Sequence, residues 1–139
     1  MKIFFIGSAI WLLIVFSDFL LPSILPGFQN NLFRFTAKSV CHASPGKLIS
    51  DGSGSTLVCA RCTGIYTGVF AAALTALILS SAIKIKSKYF RNAFWIVTSV
   101  MIFDVFADDF GLYGYSHFFS FIIGLIWGLI VQFIIFEKT

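Results

Sequence analysis

Charge is the scarcest property of this chain. Of its 139 residues only 12% are Asp, Glu, Lys or Arg, where an ordinary soluble domain carries roughly a quarter. Glutamate occurs once, at Glu137, and there are only two histidines and three cysteines. What fills the space is apolar: 58% hydrophobic residues and 18 phenylalanines, with a mean hydropathy of +0.94. A chain this short has too little interior to hide that much apolar side chain from water, which excludes a soluble globular fold. A disordered chain, a nucleic-acid-binding module and a small disulfide scaffold are excluded as well, despite a pI of about 9.1. The length suits one domain over 1–139.

A helix needs roughly 20 apolar residues to cross a bilayer. Such runs lie at Ile3–Leu21, Leu57–Ile83, Ala93–Phe110 and His117–Phe136. The expected fold is therefore an all-α integral membrane protein, a four-transmembrane-helix bundle surrounded by membrane lipid. The first run follows Lys2 as a signal peptide would, but it is long, contains Asp18 and leads into Pro22-Ser-Ile-Leu-Pro26 rather than a small-x-small cleavage site, so it is expected to stay as a helix. Lys2, Lys84, Lys86, Lys88, Arg91 and Lys138 fall on the side shared by both termini, against Arg34, Lys38, Lys47 and Arg61 on the other. By the positive-inside rule the termini are expected in the cytoplasm. Five of the six acids, Asp18, Asp51, Asp104, Asp108 and Asp109, then belong to the outer half.

The long outer loop, residues 22–56, opens with Pro22, Pro26 and Gly27 and ends in Asp51-Gly-Ser-Gly-Ser-Thr. Within it, Asn31–Val40 reads equally as a short amphipathic surface helix or as irregular chain with a few aromatics. Gly64-x-x-x-Gly68 and Gly124-x-x-x-Gly128 are small-residue patterns that allow close helix contact in lipid, first within the chain and also through a homo-oligomer.

All three cysteines fall in one stretch, Cys41-His42 and Cys59-Ala60-Arg61-Cys62. One reading makes Cys41, His42, Cys59 and Cys62 the four ligands of a tetrahedral zinc ion. A second makes them a thiol-disulfide system, since three cysteines form one bridge and leave one thiol over. The bland alternative is that they are small buried apolar residues. Arg61 at the start of a membrane helix must either snorkel to the interface or find an acid. Asp104 and Asp108 share a helix face four residues apart, and Asp104 sits roughly 10 Å below Gly111, too deep for a loop carboxylate. Asp104, Asp108 and Arg61 are thus the candidate catalytic groups, with an aspartate as general base. His117, after Ser116, reads as a cap or interfacial residue as readily as a ligand, and Asp18 either faces the site or the headgroups.

From Cys41 to Gly128 the chain resembles a bacterial and archaeal membrane-protein family catalogued as domain of unknown function 2085. The family's opening Cys-His, Pro and basic residue correspond to Cys41, His42, Pro45 and Lys47, with Lys where Arg is usual. Its Cys-Ala-Arg-Cys-Thr-Gly-Ile-Tyr-x-Gly segment is matched in full by Cys59 through Gly68. In its Asp-Gly-x-Thr-Gln-x-x-Gly stretch, Asp104 and Gly111 match, while Val105, Ala107 and Asp108 replace Gly, Thr and Gln. Of its later Arg-x-x-Thr-Gly only Gly124 remains, with Ser120 in place of Arg. The resemblance implies a small polytopic membrane protein and no established activity. Three functions stay open: a metal (zinc) site beside an Asp-rich pocket, a membrane thiol-disulfide oxidoreductase using Cys59, Cys62 and Cys41, and a cation or proton transport component with Asp104 and Asp108 as relay.

Overall fold

A computed structural model describes residues 2–17, 35, 37–41, 45–50, 55–78 and 87–137. The chain is mostly helical: α1 (Lys2–Val15), α2 (Ala60–Ile78), α3 (Ser87–Asp109) and α4 (His117–Glu137), with two short strands, β1 (Leu48–Ser50) and β2 (Ser55–Cys59), before α2. Three helical stretches, Ala60–Ile78, Tyr89–Asp109 and His117–Phe136, are long and apolar enough to cross a membrane, and Ile3–Val15 is a shorter apolar helix. Residues 18–21 of the expected first span, Asp18 among them, lie outside the described residues, as do Asp51 and His42.

Two sequence expectations need correction. The second span does not start at Leu57: residues 55–59 form β2, which pairs antiparallel with β1, Leu48 opposite Cys59 and Ser50 opposite Ser55, with an irregularity between the two pairs. The fold is thus not purely helical. β-Branched Thr56 and Val58 suit an extended backbone, and the Thr56 hydroxyl secures the pair by accepting the Ile49 N–H at 3.1 Å and donating to the Val58 carbonyl at 2.8 Å. The third helix starts at Ser87, not Ala93, so it includes the polar turn that a hydropathy reading leaves out.

The most extensive helix contact is between α2 and α4; α3 packs on α4, and α1 on α2 and β2. The glycines decide the first of these. A Cβ on Gly64 or Gly68 would sit 2.1 and 2.2 Å from the carbonyl oxygens of Phe121 and Leu125, and one on Gly124 or Gly128 would sit 2.2 Å from those of Arg61 and Ile65. The two small-residue patterns therefore face each other within one chain, backbone against backbone.

The helix ends have identifiable causes. Ser116 caps α4, its hydroxyl accepting the Phe119 N–H at 3.4 Å. At the end of α3, Gly111 has φ 64, the Gly111 N–H donates to the Asp108 carbonyl at 3.0 Å and the Leu112 N–H to the Ala107 carbonyl at 2.9 Å. That is a Schellman ending, and it turns the chain sharply into α4. Inside the helices, Thr67, Thr75 and Ser99 donate their hydroxyls to carbonyls four residues back, which satisfies them without water.

Candidate thiol site and the carboxylate beside it

Three separate pieces of chain carry the thiols. Cys41 follows a helical turn over residues 37–40, its N–H donating to the Ala37 carbonyl at 2.8 Å. Cys59 ends β2, and Cys62 lies in the first turn of α2. Their Sγ atoms all lie within 4.8 Å of one another, and none of the three is in a disulfide. The expected helical spacing of Cys59 and Cys62 is corrected here, since the pair straddles a strand-to-helix junction. Cys59 occupies the N-cap position of α2. That is the place a Ser or Thr usually holds, and here a thiol stands there with the Cys62 backbone N–H as an electrostatic neighbour.

Around the thiols the walls are apolar. Val15, Ala37, Leu57 and Val58 form one buried cluster with Cys41, and Trp11, Ile14, Phe16 and Tyr66 pack against it. Trp11 meets Tyr66 edge-on at 5.5 Å. The Cys59 N–H donates to Cys41 Sγ at 3.4 Å. Hydrogen bonding with the Cys41 thiol, together with burial, raises the Cys59 thiol above its ordinary value, while the Cys62 N–H acts the other way.

Beside this cluster lies a buried carboxylate. Asp104 of α3 is 3% exposed and accepts from three directions. Arg61 of α2 donates both Nε, at 3.1 Å, and Nη2 to its Oδ2. Ser120 of α4 donates to the same oxygen at 3.3 Å, and Tyr113 in the α3–α4 turn donates to Oδ1. Partial burial and the bond to Asp104 push the Tyr113 phenol up to about 12. One turn further along α3, Asp108 pairs with Lys47, which also approaches Asp109 at 3.7 Å and sits 5.5 Å from the Tyr115 ring centroid. The hydrogen bond to Asp108 raises the Lys47 ammonium above its ordinary value.

The arrangement settles several open readings. Arg61 pairs with an acid rather than snorkelling. Asp104 and Asp108, the candidate bases, each accept from a cation, while the group that converges is Cys41, Cys59 and Cys62 among the described residues. His117 is exposed and stacks edge-on against Tyr115 at 5.0 Å, next to the Ser116 cap. Three participants escaped the sequence reading: Tyr113, Lys47 as partner of Asp108, and Ser120. Tyr113 had a signal, being the first hydroxyl-bearing side chain beyond the Gly111 turn that folds the chain back over Asp104.

Apolar spans, a glycine seam and a buried thiol cluster at one helix end define a small polytopic membrane protein. The chain belongs to the family described as predicted membrane protein, domain of unknown function 2085, whose model matches residues 41–134. That range begins at Cys41 and includes all three thiols, Arg61 and Asp104. No curated protein and no solved structure matches the chain.

Proposed function

We propose that this is a four-span inner-membrane protein with both termini cytoplasmic, whose outer-side cysteine cluster binds a metal ion, zinc by the chemistry of its donors. The observation that carries the reading is the convergence of three thiols from three chain segments. Zinc–sulfur bonds of ~2.3 Å at tetrahedral angles put sulfurs about 3.8 Å apart, so small side-chain adjustments bring these Sγ atoms onto one ion. His42, next in sequence to Cys41, is the proposed fourth ligand. Mutual hydrogen bonding and burial hold the thiols protonated until an ion binds, so binding releases their protons. The Cys59 N–H aimed at Cys41 Sγ and the positive end of the α2 dipole then help hold the thiolates, and the apolar walls keep competing water away.

With four protein ligands the ion has a closed shell and ties the outer loop to α2. Activating a water by Asp104 or Asp108 requires an opened coordination position and release of a carboxylate from its cation, so the structural role is the better supported one. The same sulfur distances support a second reading, oxidation of two thiols to a disulfide with both electrons and both protons passed to a quinone. Metal content by mass spectrometry with a free-thiol count separates the two. Stoichiometric zinc, and three reactive thiols after chelation, is the expected result; one reactive thiol and no metal would replace the metal reading with the redox one.

A further inference from the structure

The segment that supplies two of the proposed ligands also places a cation between them. Arg61 follows Cys59 by two residues and precedes Cys62 by one, within electrostatic reach of the Cys59 sulfur. Left unpaired in apolar surroundings, a guanidinium would seek the nearest anions. Those are the thiolates, to which it donates strong charge-assisted hydrogen bonds while repelling a divalent ion. We infer that Asp104 is a positioning residue for the metal site, one that draws the Arg61 charge onto α3 and leaves the sulfurs to the metal. The inference rests on the metal reading above.

The geometry is built for that task. Two guanidinium nitrogens meet one carboxylate oxygen, and Ser120 and Tyr113 hold the carboxylate from α4 and from the turn, so its position does not depend on the arginine alone. The backbones of α2 and α4 touch where Gly124 meets the Arg61 carbonyl. One turn away on α4, small and fully buried Ser120 leaves the arginine room to reach α3.

Zinc affinity measured by chelator competition on the full-length protein, together with the thiolate-to-metal charge-transfer band of the cobalt-substituted form, tests this. Asp104→Asn keeps the shape of the carboxylate and strands the cation. It is expected to lower zinc affinity about tenfold or more, the usual cost of losing a partner just outside a metal's ligands, and to shift the cobalt band as the guanidinium turns to the sulfurs. Arg61→Gln with Asp104→Asn removes both charges and is expected to recover most of that loss. Arg61→Gln alone is expected to keep zinc affinity within about threefold of wild type, and because it is read against wild type it keeps the inference testable if Asp104→Asn fails to fold; a loss of about tenfold or more would overturn it. A double variant no better than Asp104→Asn, or equal losses from either single change, would show a simple structural clamp and overturn the inference. Wild-type protein that binds neither zinc nor cobalt overturns the metal reading itself, whereas tight wild-type binding with Asp104→Asn unchanged overturns only the role of Asp104.

Discussion

The two sides of α4 are held by opposite means. Toward α2 it is joined through four glycines, with no charge and no side chain between the backbones. Toward α3 it is joined through side chains, with polar bonds from Ser120 to Asp104 and Trp127 Nε1 to Thr98 Oγ1 at 2.9 Å beside ring contacts of Phe133 with Phe90 and Trp127 with Phe94, while only 11% of the apolar window of α3 is buried. Apolar burial gives no net drive between helices in lipid, so a helix pair must gain either from close packing or from polar bonds. The α2–α4 seam uses the first alone, and the docking of α3 adds the second to a looser side-chain contact. A seam tolerates no added atom. A polar dock tolerates atoms but fails when a charge loses its partner.

The sharpest break in that comparison is Gly124→Leu. Its Cβ alone would lie 2.2 Å from a backbone oxygen that has no rotamer to yield, so the helices must separate; loss of folded, detergent-stable protein is expected, read by size-exclusion chromatography. On the α3 side, Arg61→Gln leaves Asp104 as a buried charge without its cation and is expected to destabilise by about 3 kcal/mol, measured by denaturant titration in mixed micelles. Trp127→Phe keeps an aromatic ring against Phe94 but removes one hydrogen bond and part of the ring contact, for about 1–2 kcal/mol. If Gly124→Leu proved milder than Arg61→Gln, the ranking of packing above polar bonds would be reversed.

The same contrast explains what could be read from the sequence. Hydropathy found three of the spanning helices, and the small-residue spacing found the seam, because both are local patterns. Asp104 stood out because a carboxylate that deep needs a reason, and Arg61 because it needs a partner. The strand β2 was hidden because Leu57, Val58 and Cys59 continue directly into the apolar run of α2, so a hydropathy window passes from strand to helix without a step. Lys47 and Tyr113 were hidden for another reason. Each meets its aspartate only after the chain has folded, Lys47 across 61 residues of sequence and Tyr113 around the Gly111 turn; nothing near Lys47 marks it, and only the turn before it marks Tyr113.

Alkaline titration gives the gentlest test, because it acts on one side of α4 only. The Tyr113 phenol is held up at about 12 from an ordinary 10.0, and Lys47 is raised from 10.5. Both groups bind a proton more tightly in the folded than in the unfolded chain, so their contributions are fully present below pH 10 and fade as pH rises toward 12. Both are partly exposed, Lys47 at 33% and Tyr113 at 36%, so solvent screens them and the slope is expected to be shallow. Any other titrating group is shared by wild type and variant, and differences between them remove its share. Tyr113→Phe and Lys47→Met should each flatten the fall in thermal stability between pH 10 and 12 relative to wild type. Trp127→Phe should shift the whole curve down without changing its slope, since an indole N–H does not titrate. The glycine seam has no proton to lose. A slope unchanged in both Tyr113→Phe and Lys47→Met would mean that the tie between α3 and the thiol-bearing segment contributes nothing to stability beyond the Arg61–Asp104 pair.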